Sequence, residues 1–349
     1  ECTALPEPTF SAEYTAGAVE VSERYMVPAL LQAGCARAED VVPVLSFLKG
    51  HRMAKAAFEA ALLDAQLKWA GVRLADHLAS VSRTRQSPRP TVAAGVAVGL
   101  TSSLGELLDE VAQRTAEGYR RVKLKIKPGW DEEPLSAVRR SWPELALFAD
   151  ANGTYQELAF TEASARLARL DGYGLACIEQ PFGDDDLVGH ARLARQIRTP
   201  VCLDEALTSW DVVSTALEMG SCSVVSVKPG RLGGLLESVR VHDLCAERGV
   251  PVWCGGMVET GVGRAANLAL AALPNFSLTG DLSASGRFFE QDLTAPLEVA
   301  PDGTIDVPAG PGSGVFVDND ALKAFATWRR WWPVDRSAVG APGRYGATR

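Results

Sequence analysis

The chain has 349 residues, 47% of them hydrophobic and 22% charged, with a formal net charge of −8 and a pI near 5.2. That balance suits one large or two ordinary soluble domains with a sizeable core, and it argues against a nucleic-acid footprint. No apolar run reaches the length of a membrane span and no signal peptide is legible, so a soluble cytoplasmic protein is expected; seven cysteines without a C-x-x-C pair suit that reducing setting.

Residues 1–90 read mostly as helix. The opening "ECTALPEP" contains neither Met nor a helix start, the texture of a chain that begins partway through a domain. "SAEYTAGAVEVSERYMVPALLQAG" predicts helix from a Ser11 cap to Gly34, and "RMAKAAFEAALLDAQLKWAG" a second helix closing on Gly71. After "RQSPRP" the texture changes, which places a boundary near residue 90. Eight strand-like runs follow, at 91–100, 121–127, 145–150, 174–179, 199–204, 223–228, 250–255 and 276–281, each separated from the next by room for one helix. Strict alternation implies parallel strands, and eight units match a (β/α)8 barrel. A doubly wound sheet is the alternative; it calls for a Gly-rich phosphate turn that the early strands lack.

In this register four strands end on charge: Asp150, Glu179, Asp204 and Lys228. A single carboxylate at a strand end can simply cap the next helix. Three from consecutive strands, with lysines on both sides, point instead to the catalytic mouth at the C-terminal end of a barrel. Three converging carboxylates repel unless a divalent cation joins them, and oxygen-only ligands favour Mg2+. His51, His77, His190 and His242 all lie away from the strand ends, which leaves zinc chemistry little to use.

"RVKLKIK" alternates basic and aliphatic residues, so Val122, Leu124 and Ile126 are expected to pack outward while Lys123 and Lys125 project into the barrel. Residues i and i+2 of a strand are about 7 Å apart, where two ammonium groups at an effective dielectric of about 20 repel by roughly 2.4 kcal/mol. Lys123 is thereby expected to make Lys125 a usable base at neutral pH. Lys228 enters from the sixth predicted strand, across the barrel from the second. Two amines flanking a metal-bound carboxylate suit removal of the proton on the adjacent carbon, through an enediolate.

The pieces "KLK" (123–125), "DAN" (150–152), "IEQP" (178–181), "LDE" (203–205) and "VKPGRLGG" (227–234) resemble the enolase superfamily in its muconate-lactonizing-enzyme subgroup. Within it the chain is most similar to the o-succinylbenzoate synthase and N-acylamino acid (N-succinylamino acid) racemase branch, through "KGHRMAKAAFEAALLDAQL", "LARQIRTPVCLDEAL" and "PVWCGGMVETGVGRAANLALAALPNFSLTGDLSAS". The resemblance implies an α/β fold: a (β/α)7β modified TIM barrel (91–285) closed by an N-terminal α+β capping domain (1–90), with a return segment at 286–318 and a C-terminal extension at 319–349. It implies Asp150, Glu179 and Asp204 as ligands of Mg2+, with Mn2+ a possible substitute. Lys125 and Lys228 would form the acid/base pair, supported by Lys123 and Asn152, and Gly255, Gly256 and Met257 would lie against the acyl portion of a small carboxylate substrate. The implied activities are dehydration to o-succinylbenzoate in menaquinone synthesis and racemisation of N-acylamino acids, in a homo-oligomer without nucleic-acid or membrane partners.

Ala97, Ser226 and Ala206 stand where close relatives are expected to carry Ser, Asn and Ser, which bears on substrate preference. The chain also begins where the family's opening strands and mobile capping loop would already be past; a molecule starting at Glu1 would seal the barrel poorly, and weak activity or an inert scaffold is the expectation in that case. A mandelate-racemase-like enzyme calls for His near the seventh strand, where "VPVWCGG" has none, and a dipeptide epimerase for an acidic pair where "TGDLSAS" offers only Asp281. A muconate cycloisomerase and a dedicated racemase stay open. The aromatic-basic tail from 326 to 349 is expected to be an extension whose Trp residues pack locally.

Overall fold

The computed structural model describes residues 1–332. Its strands are β1 (Thr91–Ala93), β2 (Gly95–Val98), β3 (Arg121–Lys125), β4 (Ala146–Asp150), β5 (Ile178–Glu179), β6 (Val201–Leu203), β7 (Val224–Val227), β8 (Val252–Cys254) and β9 (Thr304–Asp306). Strands β2 to β8 form one parallel seven-stranded sheet in chain order, with helices between them, a curled α/β barrel of the (β/α)7β kind. The open-sheet alternative is set aside by this order.

Two strand expectations are corrected. The run 91–100 divides at Ala94: β1 leaves the barrel and pairs antiparallel with β9, and β2 begins at Gly95. The eighth run is no regular strand. Residues 276–282 nonetheless bridge the gap, since Asp281 N–H donates to the Cys254 carbonyl at 2.9 Å and Gly95 N–H to the Leu282 carbonyl at 3.2 Å. Here the backbones come closer than a pleated ladder allows. A Cβ at Gly280 would overlap the Cys254 carbonyl, and one at Gly95 would overlap that of Gly280, so both positions require glycine.

Alternation along each strand sorts the barrel into layers. Val122, Leu124 and Ile126 face outward into the main core. Inward, Phe148, Cys177, Cys202, Val224 and Trp253 form a separate buried cluster, with the Arg121 guanidinium 4.1 Å from the Phe148 ring centroid and 5.1 Å from that of Trp253. Two residues further along the same strands come Lys123, Asp150, Glu179, Asp204 and Ser226. The floor is thus plugged by apolar side chains packed around the single buried guanidinium of Arg121, and the lysines and carboxylates of the strand ends begin one layer above it.

Ahead of the barrel stand five α-helices, Thr15–Val21, Val27–Gln32, Ala38–Val44, Arg52–Ala70 and Leu74–Val81, the first two joined through a π-helical turn at Ser22–Met26. Ser11 does not cap the first: that helix starts at Thr15 without a side-chain cap, and Ser11 Oγ donates to the Glu13 carbonyl instead. Glu13 accepts from the N–H groups of Arg52 and Met53 (2.6 and 2.9 Å), capping the long helix from a distant segment. In the final described stretch Arg330 pairs with Glu23, and Trp328 and Trp332 line a groove with Val19, Val27 and Phe58; positions 333–349 of the predicted extension lie outside the described residues.

Helix Arg52–Ala70 is tied to the barrel by Glu59, which is buried and accepts from Leu236 N–H at 2.9 Å at the start of helix Leu235–Glu247. A Cβ at Gly234, where φ is +152°, would overlap the Glu59 carboxylate. Burial pushes the Glu59 carboxyl up to about 7, against the pull of the Leu236 and Leu235 amides. Its folded-state value lies above its unfolded one, so its contribution to stability is fully present below pH 4.5 and is lost as pH rises through 7. Glu59→Gln removes that loss. The variant is expected to melt higher than the parent at pH 8, by up to about 3 kcal/mol, with the gap closing near pH 5. Thermal melts at the two pH values check it; a constant gap would contradict it.

Candidate active site

The C-terminal strand ends open on a cavity of about 240 Å³ lined by Lys123, Lys125, Asp150, Asn152, Asp204, Lys228, Gly256 and Met257, with Leu5 and Phe10 from the capping side. Register accounts for the grouping. Lys125 is paired with Asp150 across β3 and β4, and Asp150 with Glu179 across β4 and β5, so residues remote in sequence share one level. Two predicted positions sit behind the wall. Glu179 lies beneath it against Lys123. Gly255 borders the Lys228 side chain, where a Cβ would come 2.5 Å from Cε; glycine there lets Lys228 reach the cavity.

The charges form two clusters, one on each side of the cavity. Lys123 Nζ contacts Glu179 Oε2 at 2.7 Å, Asp281 Oδ2 at 2.6 Å and Asp150 Oδ2 at 3.0 Å, over the Trp253 ring. Lys125 Nζ donates to Asp150 Oδ2 at 2.7 Å and Asn152 Oδ1 at 2.5 Å. On the other side Lys228 Nζ donates to Asp204 Oδ2 at 2.7 Å and lies 5.2 Å from the Phe10 ring centroid. Arg231 Nη1 sits 2.9 Å from Asp204 Oδ1, close enough for an ion pair but without hydrogen-bond alignment.

Burial alone would push every carboxyl here up. At Asp150 Lys123 and Lys125 reverse it, and at Asp204 Arg231 and Lys228 do, holding both below the ordinary range. Glu179 goes the other way: burial, reinforced by Asp150, holds it well above that range despite Lys123. Burial likewise disfavours the Lys123 ammonium, but Asp150, Asp281 and Glu179 more than reverse this, and Lys123 titrates well above its usual value. The repulsion expected between Lys123 and Lys125 is offset, because Asp150 lies against both amines.

Several residues here were not singled out from the sequence. Glu205, the last letter of "LDE", accepts from Asn152 Nδ2 at 2.6 Å and so braces the residue that holds Lys125. Asn152 sits at φ +41°, in the left-handed region that Asn tolerates better than most residues, and its own N–H donates to Asp150. Gln180, also left-handed at φ +40°, accepts from the Asp204 and Ala206 amides and so orients the turn carrying Asp204. Asp281 joins Arg121 to Lys123.

Residues 106–321 match the family described as Enolase C-terminal domain-like. The chain belongs to the enolase superfamily. Among its relatives in the superfamily, an N-succinylamino acid racemase from an Amycolatopsis species is 48% identical over 333 residues, covering 95% of this chain and 87% of that protein. The o-succinylbenzoate synthase of Geobacillus kaustophilus is 41% identical over 331 residues, covering 95% and 85%. A crystal structure of an enolase-superfamily member from Listeria innocua matches with a TM-score of 0.85 at 38% identity, over 93% of this chain and 84% of that one.

Enolase-superfamily sites pair a Lys or His base with Mg2+. Among the described residues no group of three or more acidic, His or Cys side chains is gathered in readiness around a common centre, because the carboxylates are drawn onto Lys123, Lys125, Lys228 and Arg231. The donor set still suits a hard divalent cation. All its atoms are carboxylate oxygens, and Glu179 Oε1 is buried without any hydrogen-bond partner.

Among the described residues no helix is long and apolar enough to cross a membrane, and the seven cysteines are free.

Proposed function

We propose that this protein removes the proton α to a carboxylate in a Mg2+-dependent reaction, acting as an o-succinylbenzoate synthase and as an N-succinylamino acid racemase. One observation carries the reading: Lys125 on β3 and Lys228 after β7 stand four barrel positions apart, facing one cavity whose base holds Asp150, Glu179 and Asp204. Those three carboxylates would hold the cation, which supplies positive charge to the substrate carboxylate while the α-carbon is deprotonated. Lys125, braced by Asn152 and Glu205, takes the proton from one face. Lys228 stands on the other and returns a proton there in racemisation. In the dehydration Lys125 removes the α-proton and passes it to the departing hydroxyl, which leaves as water as the C–O bond breaks, while Lys228 faces the ring. Both outcomes start from the same step, so one site serves both.

Apolar Leu5, Phe10, Met257 and Phe288 line the cavity, and Phe10 lies over Lys228 and Arg231, which limits water beside the base. The greater identity to a racemase (48% against 41%) favours a dedicated racemase as the second reading. Free thiols suit a cytoplasmic setting for either.

The test is α-proton exchange in D2O. N-succinylphenylalanine is expected to exchange and racemise with Mg2+ and to stop when the metal is chelated, and the cyclohexadiene precursor of o-succinylbenzoate is expected to aromatise. Turnover of the first substrate alone would select the dedicated racemase. Exchange of neither substrate would reject the function.

A further inference from the structure

Three cationic side chains of the cavity already hold carboxylates at contact distance: Lys123, Lys125 and Lys228 each have one within 2.7 Å. The fourth does not. Arg287, at the end of the short helical turn Ser285–Arg287, has Glu110 Oε1 at 3.9 Å as its carboxylate partner among the described residues, and Glu110 also faces Arg114 at 3.7 Å. The guanidinium is fixed by one bond, from Nη2 to the Ala97 carbonyl at 2.5 Å, and its side chain is 19% exposed. Burial, with Arg114 adding to it, pushes this arginine below its usual range, yet an arginine stays charged at any physiological pH. A mostly buried positive charge therefore lacks a close counterion among the described residues.

Its position says what could supply one. Arg287 reaches the cavity beside β2, and β2 and β6, the strand that leads into Asp204, are four places apart in the barrel circuit. The wall around Arg287 is built from the end of β8 (Met257), the closing segment (Ser283) and Phe288. A substrate whose reacting carboxylate lies at Asp150, Glu179 and Asp204 extends its far end toward that wall.

We infer that Arg287 receives a second, distal carboxylate of the substrate, so that the cavity selects succinyl over neutral acyl groups. The inference rests on the proposed function for the placement of the reacting end. The free edge of a guanidinium offers a carboxylate two parallel N–H donors, which a neutral acetyl group cannot engage.

The test uses an achiral matched pair, N-succinylglycine and N-acetylglycine, bound to the whole protein in the presence of Mg2+ and followed by calorimetry. Arg287→Gln keeps a donor for the Ala97 carbonyl but removes the charge. It is expected to weaken N-succinylglycine about 10- to 100-fold and to change N-acetylglycine less than about 2-fold, with Arg287→Lys recovering part of the loss. Equal weakening of both ligands would reduce Arg287 to a brace for β2 and overturn the inference. So would unchanged binding of the succinyl ligand, or a parent protein that binds neither. Because binding is read without turnover, a parent that binds but exchanges no α-proton would count against the activity alone.

Discussion

Lys125→Ala and Lys228→Ala are each expected to lose α-proton exchange with one antipode of N-succinylphenylalanine by about 10³-fold while exchange of the other antipode persists. A general base contributes roughly 10²- to 10⁴-fold, and each lysine addresses one face of the α-carbon. Removing one leaves the other able to take a proton from its own side and return deuterium there, so exchange without inversion survives for one enantiomer and racemisation stops for both. The structure makes the variants interpretable. Without Lys125, Asp150 keeps Lys123 at 3.0 Å; without Lys228, Asp204 keeps Arg231 at 2.9 Å. Neither substitution strands a buried carboxylate without a cation, so the fold is expected to survive. Proton NMR of each enantiomer in D2O reads the result. Equal loss for both antipodes in both variants would refute a two-base site.

Glu179→Gln should separate metal binding from folding. Its Oε2 accepts from Lys123, and the amide oxygen of Gln can do the same. Its partnerless Oε1 is the atom a cation would claim, and the amide nitrogen that replaces it is no ligand. Loss of a supporting hydrogen bond alone costs about 10- to 100-fold in metal affinity, so loss of a ligand is expected to cost at least about 10²-fold, and turnover with it. Stability should move the other way. Glu179 is held well above its ordinary range, so its ionisation weakens the fold as pH rises above its unfolded-state value; Gln has no such loss. Without metal the variant is expected to melt no lower than the parent at pH 8, and added Mg2+ should raise only the parent. Unchanged Mg2+ affinity would remove Glu179 from the ligand set.

Much of the site was legible because a strand has period two and a barrel gathers strand ends. In "RVKLKIK" the alternation separated Val122, Leu124 and Ile126 from Lys123 and Lys125, and the barrel inferred from the strand repeat turned the aliphatic set to the outer core and those two lysines to the interior. Asp150, Glu179 and Asp204 declared themselves by closing apolar runs at similar spacing. What the alternation implies about neighbours is less direct. Lys123 was expected to act on Lys125 by repulsion, but Asp150 lies against both amines and Asp281 arrives from the closing segment, and no local pattern announces either contact. The division at Ala94 was hidden because β1 and β2 are short runs of similarly small, mostly aliphatic residues that differ chiefly in partner, one pairing with residues over 200 positions away. Residues 276–282 read as a strand from their content, whereas close approach at Gly95 and Gly280 decided that the ring is closed by a few bonds instead of a ladder.

The sequence by itself determined the alternation of strand and helix, the inward face of each strand and the charged residues at the strand ends, since all of these depend on near neighbours along the chain. Only the tertiary structure decided which partners those charges have, that Phe10 covers Lys228, that Glu205 braces Asn152 and that Arg287 faces the cavity. These depend on where loops and caps come to rest, which is set by contacts between segments whose separation along the chain carries no record of their distance in space.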